Sequence, residues 1–202
     1  MKIFCIGRNY SEHAKELGNA VPENPVVFSK PDTALLRAGE DFYLPHFSND
    51  VHHEIELVIK INKVGKNIQE KFARNYFSEI GLGVDFTARD LQAQLKAKGL
   101  PWELAKGFDG SAPIGNFISI ENLDLSNINF GLKKNQEWVQ QGNTRDMIFS
   151  FDKIISFISQ YFTLKVGDLI YTGTPAGVGP VAIGDKLEGF IEDASMLSFE
   201  VK

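Results

Sequence analysis

Residues 51–60 read Val-His-His-Glu-Ile-Glu-Leu-Val-Ile-Lys. Apolar and β-branched residues dominate and no turn residue interrupts the run, so the pattern predicts a strand over Glu54–Ile61. Side chains alternate across a strand, which puts Glu54 and Glu56 on one face, roughly 6–7 Å apart, and Ile55, Leu57 and Ile59 on the other. Two carboxylates on one face disfavour each other's charge. The pair reads either as an acidic edge turned to water or as two ligands of a hard divalent cation, which takes oxygen donors. The second reading needs a further acid elsewhere in the chain.

Asp85 is that candidate. It ends the buried strand predicted in "SEIGLGVDF" (78–86), where Gly81 and Gly83 let another backbone approach closely. A helix is predicted over Thr87–Ala97, and its N-terminus would either hold the Asp85 carboxylate ionised or be capped by it. Glu54, Glu56 and Asp85 together would form an oxygen-only site, which favours Mg²⁺, Mn²⁺ or Ca²⁺ over Zn²⁺. No Cys/His zinc spacing occurs. Adjacent His52 and His53 point to opposite faces and read as structural.

Other charged residues cluster around these acids in the sequence. Arg89 and Gln92 share a helix face and suit either a carboxylate-bearing substrate or solvent. Lys106, in "ELAKGFDGSAPIG" (103–115), reads as a surface charge or, beside an acidic metal site, as a stabiliser of an enolate or oxyanion. His13 and Glu16 lie at i, i+3 on a helix predicted over Asn9–Leu17, with Asn9 as N-cap and Gly18 closing it. They read as an exposed polar pair, or as an imidazole oriented by a carboxylate and able to act as a base. Gly7 and Gly18 make residues 9–18 a candidate lid. The loop Thr172–Pro180 is glycine-rich and presents backbone N–H groups suited to an anion, although it is not a Walker A loop.

The rest of the 202 residues bounds the class. The length fits a single domain over 1–202 with a real core. Ser150–Gln160 reads as a helix with Ile154, Ile155 and Ile158 on one stripe, and Ile68–Asn75 as a short helix. Strands are expected at Lys2–Ile6, in "PVVFSKP" (25–31), around Phe117, and at Asn127–Lys133, Glu137–Gln140 and Asp168–Tyr171. Strands outnumber helices and do not alternate with them, which argues against a doubly wound parallel sheet. The fold class expected is α+β, mainly β, with a mixed, rolled or barrel-like sheet. Net charge is −5 with the two signs interspersed, so nothing suggests nucleic acid or an anionic membrane. No apolar run approaches a membrane span. No signal peptide is read at the start, and the one cysteine, Cys5, fits a reducing compartment. The expected location is the cytoplasm.

Taken in order, "IGRNYSEHAKE", "PVVFSKP", "HHEIELVIKI", "GVDFTARDLQ", "PWELAKGFDGSAPIG", "QGNTRDMIF", "LKVGDLIYTGTPAGVGP" and "GDKLEGFIE" resemble the fumarylacetoacetate hydrolase family over nearly the whole chain. The likeness is greatest to its short acylpyruvase (fumarylpyruvate hydrolase-like) branch. The resemblance implies a mixed β-roll and a homodimer. It implies Mg²⁺ or Mn²⁺ on Glu54, Glu56 and Asp85, with Lys106 as the catalytic lysine and His13 and Glu16 as a base dyad on the lid. Arg89, Gln92, Lys30 and Thr174 would touch the substrate. The longer hydrolases carry a fourth acidic ligand, for which "CIGRNY" (5–10) offers no acid, so water is expected to complete the shell. The activity implied is hydrolysis of a 2,4-dioxo acid to pyruvate and a carboxylic acid. Oxaloacetate decarboxylation and 2-oxo-acid enol isomerisation use the same site, and a keto-acid binder without turnover is the non-enzyme alternative.

Overall fold

The computed structural model describes residues 1–12 and 22–202. His13, Glu16 and most of the expected lid lie outside the described residues. In chain order the strands are β1 (Ile3–Ile6), β2 (Val27–Lys30), β3 (Leu35–Leu36), β4 (Val51–His53), β5 (Ile55–Ile61), β6 (Phe77–Val84) and β7 (Thr87–Ala88). They continue as β8 (Ala112–Ser119), β9 (Asn129–Lys134), β10 (Glu137–Asn143), β11 (Leu169–Tyr171), β12 (Gly179–Pro180), β13 (Lys186–Ile191) and β14 (Ala194–Glu200). The described helices are α1 (Glu70–Ala73), α2 (Arg89–Ala97), α3 (Glu103–Lys106) and α4 (Phe151–Tyr161).

The architecture is mainly β, a curled half-barrel sheet with a few short helices. A seven-stranded sheet runs β2-β1-β11-β5-β6-β8-β3, a four-stranded one β10-β9-β13-β14, and a three-stranded one β12-β4-β7. The pairs β1/β11 and β3/β8 are parallel and the rest of the large sheet is antiparallel, as expected of a mixed roll. One apolar core joins Leu57, Ile59, Ile80 and Leu82 of the large sheet to Leu132, Leu187 and Phe199 of the four-stranded one. α4 packs its Ile154, Ile155 and Ile158 stripe into that core and is capped by Ser150, whose hydroxyl accepts from the Lys153 N–H.

Two local expectations change. The strand around the two glutamates is broken at Glu54: β4 belongs to the small sheet and β5 to the large one, so Glu54 stands where the chain crosses between them. The helix expected from Thr87 starts at Arg89, because Thr87 and Ala88 pair with His52 and Val51 as a strand. The helix expected over Asn9–Leu17, and with it the Asn9 cap, lies mostly outside the described residues. The Asn9 side chain donates to the Phe149 and Thr172 carbonyls and accepts from the Phe149 N–H, a tertiary crosslink.

The glycines of β6 admit their neighbours closely, as read. A Cβ on Gly83 would lie 2.6 Å from Tyr171 Cε1 and 2.8 Å from the Pro113 carbonyl oxygen. The tyrosine cannot yield, because its hydroxyl is shared between the Ala112 and Pro113 carbonyls. Gly83→Ala is therefore expected to cost about 1–3 kcal/mol, read as a lower urea midpoint; an unchanged midpoint would contradict this packing.

Candidate metal centre

Three acids converge through strand register. The Asp85 N–H donates to the Glu54 carbonyl at 2.8 Å, and one step along the same ladder Glu56 sits opposite Gly83. One carboxylate oxygen from each of Glu54, Glu56 and Asp85 falls within 4.8 Å of the others. Their exposures are 6%, 1% and 1%, so the negative charge is enclosed.

Cations surround it. Lys106 Nζ donates to Glu54 Oε2 at 2.9 Å and to Asp85 Oδ2 at 2.7 Å. Burial pulls its ammonium down, but the Asp85 and Glu54 charges and hydrogen bonds outweigh burial and raise its pKa, so Lys106 stays protonated. Arg89 Nη2 donates to Glu54 Oε1 at 2.5 Å and Nη1 to Gln92 Oε1 at 2.8 Å. Thr87 Oγ1 also donates to Glu54 Oε1. Lys30, expected among the substrate contacts, is enclosed and donates to the Ser111 carbonyl and hydroxyl and the Phe86 carbonyl. It lies 2.7 Å from Asp85 Oδ1, an ion pair rather than an aligned hydrogen bond. Asp85 is thus held by two lysines and not by a helix N-terminus.

Glu56 differs from its partners. It forms no ion pair among the described residues; Gly173 N–H donates to its Oε2 at 2.7 Å. The anion that the glycine-rich loop receives is therefore one of the protein's own carboxylates. Burial, then the Asp85 charge, pushes the Glu56 carboxyl well up. A divalent cation against all three oxygens would reverse that penalty, and an all-carboxylate donor set is the chemistry Mg²⁺ and Mn²⁺ take. The residues fit such an ion.

Thr174, also expected to touch substrate, is buried; its hydroxyl donates to the Ile55 carbonyl and accepts from Gln140 Nε2. Phe86 is core, stacked on Phe42 at 3.9 Å between centroids. His52 and His53 do face opposite ways: His52 meets Asp50, while His53 is buried against Gln140. Near the acids, Lys96 lies over Trp102, 5.3 Å from the ring centroid, and Gly7, next to Arg8, packs on the same indole. Burial, then the charges of Arg8, Arg89 and Lys106, lowers the Lys96 ammonium.

Residues 2–202 match the family model of the fumarylacetoacetate (FAA) hydrolase C-terminal region. The chain belongs to the fumarylacetoacetate hydrolase family. Family members with full-length similarity include the Arabidopsis thaliana oxaloacetate tautomerase FAHD1, mitochondrial, 45% identical over 202 residues that cover 100% of this chain and 91% of the relative. Another is the Escherichia coli K12 oxaloacetate tautomerase YcgM, 43% identical over 188 residues covering 92% and 86%. The crystal structure of Pseudomonas aeruginosa fumarylpyruvate hydrolase with Mn²⁺ and pyruvate superposes with a TM-score of 0.93 at 36% identity, covering 100% of this chain and 89% of that one. Among the described residues no helix is long and apolar enough to cross a membrane.

The charge balance gives a test. Lys106→Met leaves Glu54 and Asp85 facing Glu56 with less compensation. Breaking a buried pair costs about 3–5 kcal/mol, so the metal-free variant should unfold at markedly lower urea, with millimolar Mg²⁺ restoring part of the loss. A midpoint equal to wild type in EDTA would contradict the ion-pair network.

Proposed function

We propose that the protein is a metal-dependent enzyme of 2-oxo acids whose chemistry passes through an enol or enolate. The main activity proposed is keto–enol tautomerisation of a 2-oxo dicarboxylate of the oxaloacetate type. The observation that carries this is the enclosed Glu54/Glu56/Asp85 triad with protonated Lys106 bonded to two of its members. Two full-length relatives named as oxaloacetate tautomerases support it.

Glu54, Glu56 and Asp85 would hold Mg²⁺ or Mn²⁺, which when bound supplies Lewis acidity toward the 2-oxo oxygen. Lys106 places a fixed positive charge where an enolate oxygen develops, in a site shielded from water. Arg89, steadied by Glu54 and Gln92, offers a planar donor to the 1-carboxylate. Arg8 and Lys96 would suit the second carboxylate of a dianion. Lys30 keeps Asp85 paired. His13, oriented by Glu16, is assigned the proton at C3. A homodimer and a cytoplasmic location remain part of the proposal.

A second reading, hydrolysis of a 2,4-dioxo acid, is favoured by the likeness to fumarylpyruvate hydrolase. Here His13 takes a proton from water, the hydroxide attacks C4, the C3–C4 bond breaks, and pyruvate leaves as its enolate beside Lys106. Oxaloacetate decarboxylation would use the same enolate without activated water.

The test follows the enol absorbance of oxaloacetate, with pyruvate release from oxaloacetate and from acetylpyruvate measured in parallel. Enol conversion above the buffer rate, lost in EDTA and reduced at least about 100-fold in Glu54→Gln, is the expected result. Faster cleavage of acetylpyruvate would make hydrolysis the main activity, and turnover of neither substrate would leave a keto-acid binder. Within the hydrolase reading, His13→Ala should damage acetylpyruvate cleavage far more than decarboxylation.

A further inference from the structure

Ile55 stands between the two glutamates, and both of its backbone polar groups are taken by side chains from elsewhere. Its N–H donates to Gln140 Oε1 at 3.0 Å. Its carbonyl accepts from Thr174 Oγ1 at 2.8 Å. The circuit closes, because Gln140 Nε2 donates to the same Thr174 oxygen at 2.9 Å and to the Pro175 carbonyl at 3.0 Å. Two acceptors on the nitrogen side fix the orientation of the Gln140 amide. Its oxygen faces His53 Nδ1 at 2.9 Å, so that ring nitrogen carries the proton.

Gln140 therefore uses its whole hydrogen-bonding capacity while 2% exposed. It grips the residues on either side of Glu54, and it grips the loop whose Gly173 N–H holds Glu56. It comes from β10, in a different sheet from β5. The loop is seated closely on that strand: a Cβ on Gly177 would lie 2.3 Å from the Val139 carbonyl oxygen, and one on Gly142 would lie 2.9 Å from Pro175 Cβ.

We infer that Gln140 is a positioning residue that sets the separation of the Glu54 and Glu56 carboxylates, and through it the affinity of the triad for a divalent cation. It touches no carboxylate itself. It acts by fixing the peptide that joins the two glutamates and the loop that orients the second. Groups that hold ligating side chains in this way contribute about 10–100-fold to metal affinity. The inference rests on the metal reading above.

The experiment is an Mn²⁺ titration of the full chain, with free Mn²⁺ followed by electron paramagnetic resonance and unfolding followed in urea. Gln140→Leu removes all the bonds. Gln140→Glu keeps the acceptor for His53 and Ile55 but loses the donors to Thr174 and Pro175, and its near-identical shape keeps the test open should the leucine variant fail to fold. Each folded variant is expected to bind Mn²⁺ at least about tenfold more weakly than wild type. Ser159→Ala is the control: it removes the buried bond that the Ile68 N–H donates to the Ser159 hydroxyl on α4 and should lower stability without moving Mn²⁺ affinity. Folded Gln140 variants that bind Mn²⁺ within twofold of wild type overturn the positioning role and leave the metal reading standing. Wild type that binds no Mn²⁺ overturns both.

Discussion

Three carboxylates cannot leave water together unless positive charge goes with them. Most of the structure around Glu54, Glu56 and Asp85 answers that constraint. Lys106 spans Glu54 and Asp85, Arg89 covers the far side of Glu54, and Lys30 covers the far side of Asp85. Among the described residues Glu56 is left with the Gly173 backbone N–H. Among the described residues the compensation is incomplete where the three oxygens meet, and their donor set fits a divalent cation. In the proposed reaction the same arrangement would set a protonated lysine beside the 2-oxo group, so that what balances the ground-state charge would also stabilise an enolate.

The fold supplies this cluster with few devices. Antiparallel pairing of β5 with β6 sets Asp85 across from Glu54, with Glu56 next on the ladder. Gly83 lets Tyr171 and the β8 backbone close behind that ladder. Breaking the strand at Glu54 aims this residue at Arg89 and Thr87 as well as at Lys106. The crosslinks that hold the arrangement are long in sequence, as with Gln140 to Ile55 and Asn9 to Phe149, so the site forms only when the sheets have assembled.

The sequence made the acids legible because strand alternation is a strong signal: Glu-Ile-Glu followed by an apolar run has few readings, and Asp85 ends a glycine-marked strand. It made the mixed β architecture legible for the same reason. Partners of buried charge were less visible. The pairing of Lys30 with Asp85 and Ser111, and of the Thr174 hydroxyl with the Ile55 carbonyl, could not be read from the sequence. Gln140 gave no sign at all: a bulge between Trp138 and Gln140 breaks the alternation of β10 just where a buried polar position would otherwise stand out. Its partners are 34 to 87 residues away in the chain.

The most direct measurement is anomalous diffraction from crystals grown with Mn²⁺. The account predicts one strong peak per chain, contacted by one oxygen from each of Glu54, Glu56 and Asp85. Full occupancy of Mn²⁺ elsewhere on the chain, with Lys106 still spanning Glu54 and Asp85 and no peak at the triad, would contradict it.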